Sequence, residues 1–203
     1  MNSYLISSSS ARPLEISPES LKRILTYFQV MPGFLDFLYV YGNPSGMDPE
    51  LKFSSFRTDA ITAEPRRGLV IDALNRSGRR FQVCYTLKSA EELVDEEVEI
   101  DKGNEKETTD KAWKIRHGIF HHQFDVGKGT QLWILGDQKL KLWDLSTSEI
   151  GKFNNHGKYL RSFSTFSQSF KTSLEMHLLY SQWASVGWRW YICTSEERAH
   201  RLV

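Results

Sequence analysis

The chain lacks the features that mark secreted, metal-clustered or membrane-spanning proteins. Its 203 residues include two cysteines, Cys84 and Cys193, which form neither a disulfide framework nor a metal knuckle and which fit a reducing compartment. No window approaches roughly 18 consecutive apolar residues, and the N-terminal stretch holds neither the basic nor the apolar part of a secretory signal. We therefore expect a cytoplasmic location and no membrane span in this chain.

Signatures of catalysis and of nucleic-acid binding are also missing. No Gly-x-Ser-x-Gly elbow occurs, and neither cysteine stands beside a plausible base. The net charge is only +1, which gives no basis for nucleic-acid binding. The segment "GKGTQ" at 127–131 has the wrong spacing for a phosphate loop and predicts a hairpin turn instead. We expect no enzyme, no catalytic residue, no cofactor and no nucleic-acid partner.

The negative charge is concentrated in one segment. Residues 91–110, "EELVDEEVEIDKGNEKETTD", carry ten acids and two lysines, a local net charge of −8. The run lacks the spacing and turn glycine of an EF-hand loop, although hard cations do take carboxylate ligands. We expect a solvated insertion between two strands that is mobile over about 95–110, with a divalent-cation site as the alternative.

Three histidines lie close together in a predicted strand. His117 and His121 would share one face of that strand, and His122 would point to the other face. Two ligands do not make a zinc site, and no Cys, Asp or Glu stands at ligand spacing beside them. We expect these side chains to pack within the sheet and assign no metal ligand, with metal binding as the alternative.

The hydrophobic pattern predicts an α+β (or α/β) domain with a mixed, largely antiparallel sheet, flanking helices and a long C-terminal helix. Residues 1–16 are expected to be a flexible segment, and 17–203 a single domain. The predicted elements are a serine-capped helix at 17–30, a strand at 33–42, hairpins at 68–88 and 115–135, a short strand and irregular connection after 138, and a helix at about 164–203.

The last predicted helix is rich in aromatic residues. Leu174 and Leu178 widen its apolar surface, and Gly187 within it suggests close approach of a neighbouring backbone. Arg189 is expected either to make a cation–π contact or pair with an acid on a partner, or to be simply exposed with its stem along apolar surface. The helix is either buried on most sides or used for self-association or a protein partner. The predicted interaction residues are Trp183, Gly187, Trp188, Arg189, Trp190 and Tyr191.

Several segments together resemble a known family. These are "FLDFLYVYG" near the start, "WKIR" at 113–116 before "GIFHHQFD", the tryptophan strand at 131–135, and "WASVGWRWY" at 183–191. They resemble the cytosolic N-terminal region of fungal CorA-like proteins, which are relatives of the CorA magnesium-transporter superfamily. In that family, a helix–sheet–helix domain ends in a long helix that runs on to two C-terminal membrane spans, and five subunits surround a pore.

The resemblance implies a non-catalytic regulatory or sensor domain of a divalent-cation (magnesium) transporter-type membrane protein, with Mg²⁺ handled by the parent protein. The sequence departs from the family because it has neither spans nor the Gly-Met-Asn motif that closes the first span. "SGMD" at 45–48 follows no apolar segment. The alternative is a stand-alone protein-interaction module, such as an effector or incompatibility factor, with no transport activity. Hydrophobic spans encoded after Val203 would favour the first interpretation.

Overall fold

The fold is a five-stranded sheet with helices on both faces. The computed structural model describes residues 2–7, 16–42, 55–65, 70–74, 76–93, 112–137 and 165–201. Its elements in chain order are β1 (Asn2–Ser7), α1 (Pro18–Phe28), α2 (Phe34–Gly42), β2 (Phe56–Ile61), β3 (Val70–Ile71), a 3₁₀ turn (Asp72–Leu74), β4 (Arg76–Ser77), β5 (Arg80–Leu93), β6 (Ala112–Asp125), β7 (Gln131–Asp137), α3 (Phe166–Ser185) and α4 (Trp188–Arg201). The predicted α+β class is confirmed.

The main sheet has the strand order β1-β7-β6-β5-β2. Three neighbouring pairs are antiparallel, and β1 runs parallel to β7 at one edge, so the predicted mixed, largely antiparallel sheet is confirmed. The strand β1 lies within the segment 1–16 that was expected to be flexible. Its pairing with β7 was not foreseen because the partner lies about 130 positions away, beyond the reach of local pattern analysis.

The first helix forms as its local sequence predicts. Ser17 caps α1 by accepting a hydrogen bond from the backbone N–H of Ser20 at 3.2 Å, and Pro18 occupies the first turn. The helix ends at Gln29, which adopts the left-handed conformation with φ 53° and donates its N–H back to the last turn. Its apolar stripe packs on the core as expected, through Leu21, Ile24, Leu25 and Phe28.

The segment 33–42 is a helix, so the prediction of a strand was wrong. Its aromatic and β-branched composition favours a strand. However, the large residues also recur with helical spacing, and the stripe buried in α2 consists of Phe34, Phe37, Leu38 and Tyr41. Leu35 and Tyr39 lie outside this stripe and are exposed. Burial of one helical face therefore overrides the strand propensity of the same residues.

Of the two predicted hairpins, one is confirmed and one is wrong. The strands β6 and β7 form the hairpin predicted at 115–135 and turn where the "GKG" segment stands. The segment 68–88 does not form a single hairpin. Instead β3 pairs with β4 in a separate two-stranded sheet across a 3₁₀ turn, while β5 pairs with β2 on one side and β6 on the other. The long β6 partner holds β5 in the main sheet, away from β3.

Each face of the sheet has its own hydrophobic core. On one face α1 and α2 cover Cys84, Ile119, Leu132 and Ile134. On the other face Met176 and Tyr180 of α3 pack against Phe120, Trp133 and Leu135. The two-residue alternation of β6 and β7 divides their side chains between these cores. The sheet is therefore the middle layer of three.

The predicted long C-terminal helix is confirmed as α3, but the segment predicted as one helix at about 164–203 also contains a second helix, α4. The α3 helix ends at Ser185, Val186 is extended, and Gly187 has φ +85° before α4 begins. A non-glycine residue is strained at such a φ. The break resets the helical phase, so Trp190 does not share the face of Trp183 that one continuous helix would give it.

Parts of the sequence interpretation fall outside the described residues. The acidic run joins β5 to β6, as expected of an insertion between strands, but only Glu91, Glu92 and Leu93 of it are described, within β5. The short strand and connection expected after 138 and the "SGMD" segment also lie outside. The mobility of residues 95–110 and their lack of a divalent-cation site remain predictions.

Candidate functional site

The junction between α3 and α4 rests directly on strand β5. A Cβ added to Gly187 would overlap the carbonyl oxygen of Ala90 and lie 2.9 Å from its carbonyl carbon. The close approach of a neighbouring backbone, which the sequence suggested for Gly187, is therefore confirmed. Glycine is required here for two reasons, because both the space and the positive φ exclude a larger residue.

Two aromatic side chains of α4 extend this contact along the sheet. The indole N–H of Trp188 donates to the carbonyl of Lys88 at 3.2 Å and to that of Ala184 at 2.8 Å. Tyr191 packs edge-on against Trp113 of β6, with ring centroids 6.2 Å apart. Both residues are half-buried. They attach the first turn of α4 to the C-terminal part of β5 and to the start of β6, which lie side by side in the sheet.

The remaining predicted interaction residues fall into two groups. Trp183 is half-buried and packs against the cluster of Met176 and Tyr180. It does not lie on a face continuous with Leu174 and Leu178, which are exposed. The other group, Arg189 and Trp190, points outward. Trp190 is 65% exposed, and the Arg189 guanidinium carbon lies 5.9 Å from its ring centroid.

A second constellation lies between α3 and the sheet, and sequence analysis missed it. Tyr85 Oη lies 2.7 Å from Nδ1 of His177, whose Nε2 lies 3.1 Å from Nδ1 of His122. Nε2 of His122 lies 3.3 Å from the hydroxyl of Ser173. We call these four side chains, Tyr85, His177, His122 and Ser173, the histidine relay. It joins β5, β6 and α3 through three consecutive hydrogen bonds.

The surroundings of the relay keep both imidazoles neutral. Burial lowers the pKa of His177 to about 4. Burial also lowers the pKa of His122 well below its usual value, and positive charge on His177 or His121 would lower it further, whereas a hydrogen bond with Gln131 acts in the opposite direction. The pKa of Tyr85 is raised by burial. A neutral imidazole has one donor and one acceptor nitrogen, so the hydrogen bonds of the relay must all run in one direction.

The relay is enclosed on its sheet side and reaches solvent at one end. The His122 ring stacks on Trp133 at a centroid distance of 4.1 Å and is fully buried. Tyr85 and His177 line a cleft of about 500 Å³ together with residues that include Phe56 and Ser181. Protons can therefore enter from the side of Tyr85 and His177. The arrangement can hold α3 on the sheet and respond to proton uptake.

The relay was missed because its members are far apart in sequence. His122 was considered with its strand neighbours, whereas its actual partner His177 lies on a helix 55 positions later. A local signal was present: small polar residues and one histidine recur every fourth position on α3, at Ser169, Ser173, His177 and Ser181. Such a polar line within an apolar helix indicates a buried hydrogen-bond network.

His121 and His117 lie on the opposite face from His122, as the strand pattern predicted. The side-chain oxygen of Gln82 accepts the backbone N–H of Met31 at 2.8 Å, and Nε2 of His121 lies 3.1 Å from it. Nε2 of His121 is therefore the protonated nitrogen. Burial and the charge of Arg80 lower the pKa of His121 to about 3. The described residues contain no group of three or more His, Cys, Asp or Glu side chains that could hold a metal ion.

The "GKG" segment is a structural turn. The carboxylate of Asp125 accepts hydrogen bonds from the backbone N–H groups of Gly127 and Lys128 at 2.9 and 2.8 Å. The same carboxylate accepts the backbone N–H and the hydroxyl of Ser77 at 2.8 and 2.6 Å. These four bonds hold the β6–β7 turn and tie β4 to it. The turn predicted from the glycines is confirmed.

Comparison with known proteins gives one match. The family model of the CorA-like transporters matches residues 3–203, a range that begins in β1 and runs beyond α4. No curated protein and no solved structure matches the chain. Among the helices that the structure describes, none has the length and apolar character that a bilayer crossing requires. Because the family match covers nearly the whole sequence, the chain belongs to the CorA-like family of transporters.

Proposed function

We propose that the chain is the non-catalytic cytosolic regulatory or sensor domain of a CorA-like divalent-cation transporter, with magnesium as the cargo. In this proposal α4 is the surface through which the domain meets another subunit or a protein partner. Trp190 and Arg189 supply the contact, while Gly187, Trp188 and Tyr191 hold α4 in position and Trp183 anchors the preceding helix α3.

The observation that carries the proposal is the exposure of α4. No residue of this helix is buried, yet it carries two large apolar side chains outside, Trp190 at 65% and Ile192 at 50% exposure. Tryptophan and arginine are enriched in the energetically dominant positions of protein interfaces. The family resemblance supports the same assignment, because the last helix of the cytosolic domain is the one that continues toward the membrane in those proteins.

The test uses two exposed aromatic residues on different helices of the domain. Trp190→Ser changes α4, and Tyr39→Ser changes α2, where Tyr39 is 72% exposed. We expect sedimentation velocity to show weaker self-association for Trp190→Ser and unchanged self-association for Tyr39→Ser. In the full-length protein, Trp190→Ser should alter the dependence of magnesium uptake on cytosolic magnesium at equal protein abundance.

Two outcomes would contradict the proposal. Equal effects of both variants on self-association would mean that α4 is not the specific contact. A full-length protein that stays out of the membrane fraction and promotes no magnesium uptake would favour the stand-alone interaction module instead.

A further inference from the structure

We propose that the histidine relay is a proton-binding latch: uptake of protons by His122 and His177 releases the C-terminal arm, α3 and α4, from the sheet. The proposal goes beyond the function proposed above, because it concerns contacts inside this domain and holds whether or not the parent protein transports ions. The two imidazoles form a polar contact in the α3–sheet interface, near the apolar contacts of Met176 and Tyr180. Ser169 makes further polar contacts there, with Gln131 and the Gly129 carbonyl.

Counting donors and acceptors shows how many protons the closed latch accepts. With one proton added to His177, its Nδ1–H donates to Tyr85 Oη and its Nε2–H donates to Nδ1 of His122. His122 stays neutral and donates from Nε2 to Ser173 Oγ. With a second proton, no pattern of donors and acceptors satisfies the hydrogen bonds of the relay. Two imidazolium rings would direct N–H groups at each other across 3.1 Å, with like charges in contact.

Among the residues that the structure describes, the groups around the two rings offer no compensating negative charge. From β5 the facing polar group is Tyr85, from β7 Gln131 and Trp133, and from α3 Ser173, all of them uncharged at neutral pH. On α3, Lys171 and Glu175 pair with each other at 3.8 Å on exposed positions. The described residues include no carboxylate that hydrogen-bonds either imidazole. Protonation therefore opposes closure.

The direction of the pH effect follows from linkage. In the closed state both histidines have a lowered pKa, whereas in an opened arm they regain a value near 6.5. Attachment is therefore fully present above about pH 6.5 and weakens as the pH falls below it. Because opening takes up two protons between about pH 4 and 6.5, the open population rises up to about 100-fold for each pH unit. His121 does not take part, since it lies under α1 and α2 on the other face.

Amide hydrogen exchange in α3, corrected for the intrinsic effect of pH, measures this opening. His177→Gln keeps a donor and an acceptor but cannot titrate, so the slope of log opening against pH should fall from about two protons to about one. The matched control is His200→Gln on the exposed part of α4, which should keep a slope of about two. An unchanged slope in His177→Gln, or an equal fall in the control, would overturn the proposal.

A second measurement keeps the test decisive if His177→Gln fails to fold. Nitrogen-15 NMR of the imidazoles in the unaltered 203-residue chain follows each histidine separately. We expect His122 and His177 to become protonated together, in step with loss of α3 amide protection. Protonation of both rings while α3 remains fully protected would refute the latch.

Discussion

Replacement of Gly187 by alanine tests the close contact between the α3–α4 junction and strand β5. The residue stands at φ +85°, and its missing side chain leaves the space that the Ala90 carbonyl of β5 fills. The substitution therefore imposes two separate costs on the native state. The first is the left-handed backbone, and the second is overlap with a backbone atom that cannot rotate away.

A second glycine separates these two costs. Gly129 also has a positive φ, +68°, but a Cβ there would meet Phe166 at 3.4 Å, which is ordinary contact. Gly129→Ala should therefore lower the free energy of unfolding by about 1–2 kcal/mol, the cost of a left-handed alanine. Gly187→Ala adds an overpacking cost of about 1–3 kcal/mol, which gives about 2–5 kcal/mol in total.

Guanidinium denaturation of the two variants and the unaltered chain, followed by near-ultraviolet circular dichroism, gives both values. The α4 amides should also lose protection from hydrogen exchange selectively in Gly187→Ala, since the hydrogen bond from Trp188 to the Lys88 carbonyl depends on the close contact at Gly187. If Gly187→Ala proves no more destabilising than Gly129→Ala, the close contact between the α3–α4 junction and β5 is not part of the native state.

Three further predictions concern other parts of the domain. Trp183→Ala should lower the free energy of unfolding by about 2 kcal/mol in denaturant melts, because Trp183 is half-buried. Trp190→Ala should change it by less than about 0.5 kcal/mol, because Trp190 is exposed. Equal losses in the two variants would contradict the assignment of Trp183 to the core and of Trp190 to the surface. Asp125→Asn should lower the free energy of unfolding by about 1–3 kcal/mol in thermal melts, because the amide cannot accept all four hydrogen bonds of the turn. An unchanged melting temperature would show that the Asp125 carboxylate does not stabilise the turn. A thiol reagent at pH 8 should label exposed Cys193 at once and Cys84 only after denaturation. Burial raises the pKa of Cys84 to about 12, so only about one Cys84 thiol in ten thousand is ionised at pH 8. Rapid labelling of both thiols would show that the α1–α2 core opens.

The elements that sequence analysis predicted correctly are those whose determinants are local. The α1 helix has its cap, its proline and its apolar stripe within a dozen positions, and the β6–β7 hairpin has its turn glycines between two β-rich flanks. The two predictions about single glycines also held. Gly187 proved to meet a backbone, and the glycines at 127–129 proved to form a turn.

The errors arose where distant contacts decide the outcome. The same residues of α2 fit a strand by composition and a helix by spacing, and only burial against the sheet selects the helix. The break before α4 depends on where the Ala90 carbonyl lies, which no helical pattern reveals. The histidine relay needs β5, β6 and α3 in place before its members meet. The proposed interaction residues remain a prediction, although their exposure is now assigned one by one.

The parallel pairing of β1 with β7 has a consequence for how the chain folds during synthesis. Asn2 pairs with Leu132, so β1 leaves the ribosome about 130 residues before its partner strand, on the order of ten seconds of translation. Only near the end of that interval can β5 and β6 pair, and until then β1 has no partner strand. Contacts of such large sequence separation form late and slow folding. Until β1 docks, the outer edge of β7 exposes unpaired backbone groups, so the newly made domain is most prone to intermolecular strand pairing at that edge.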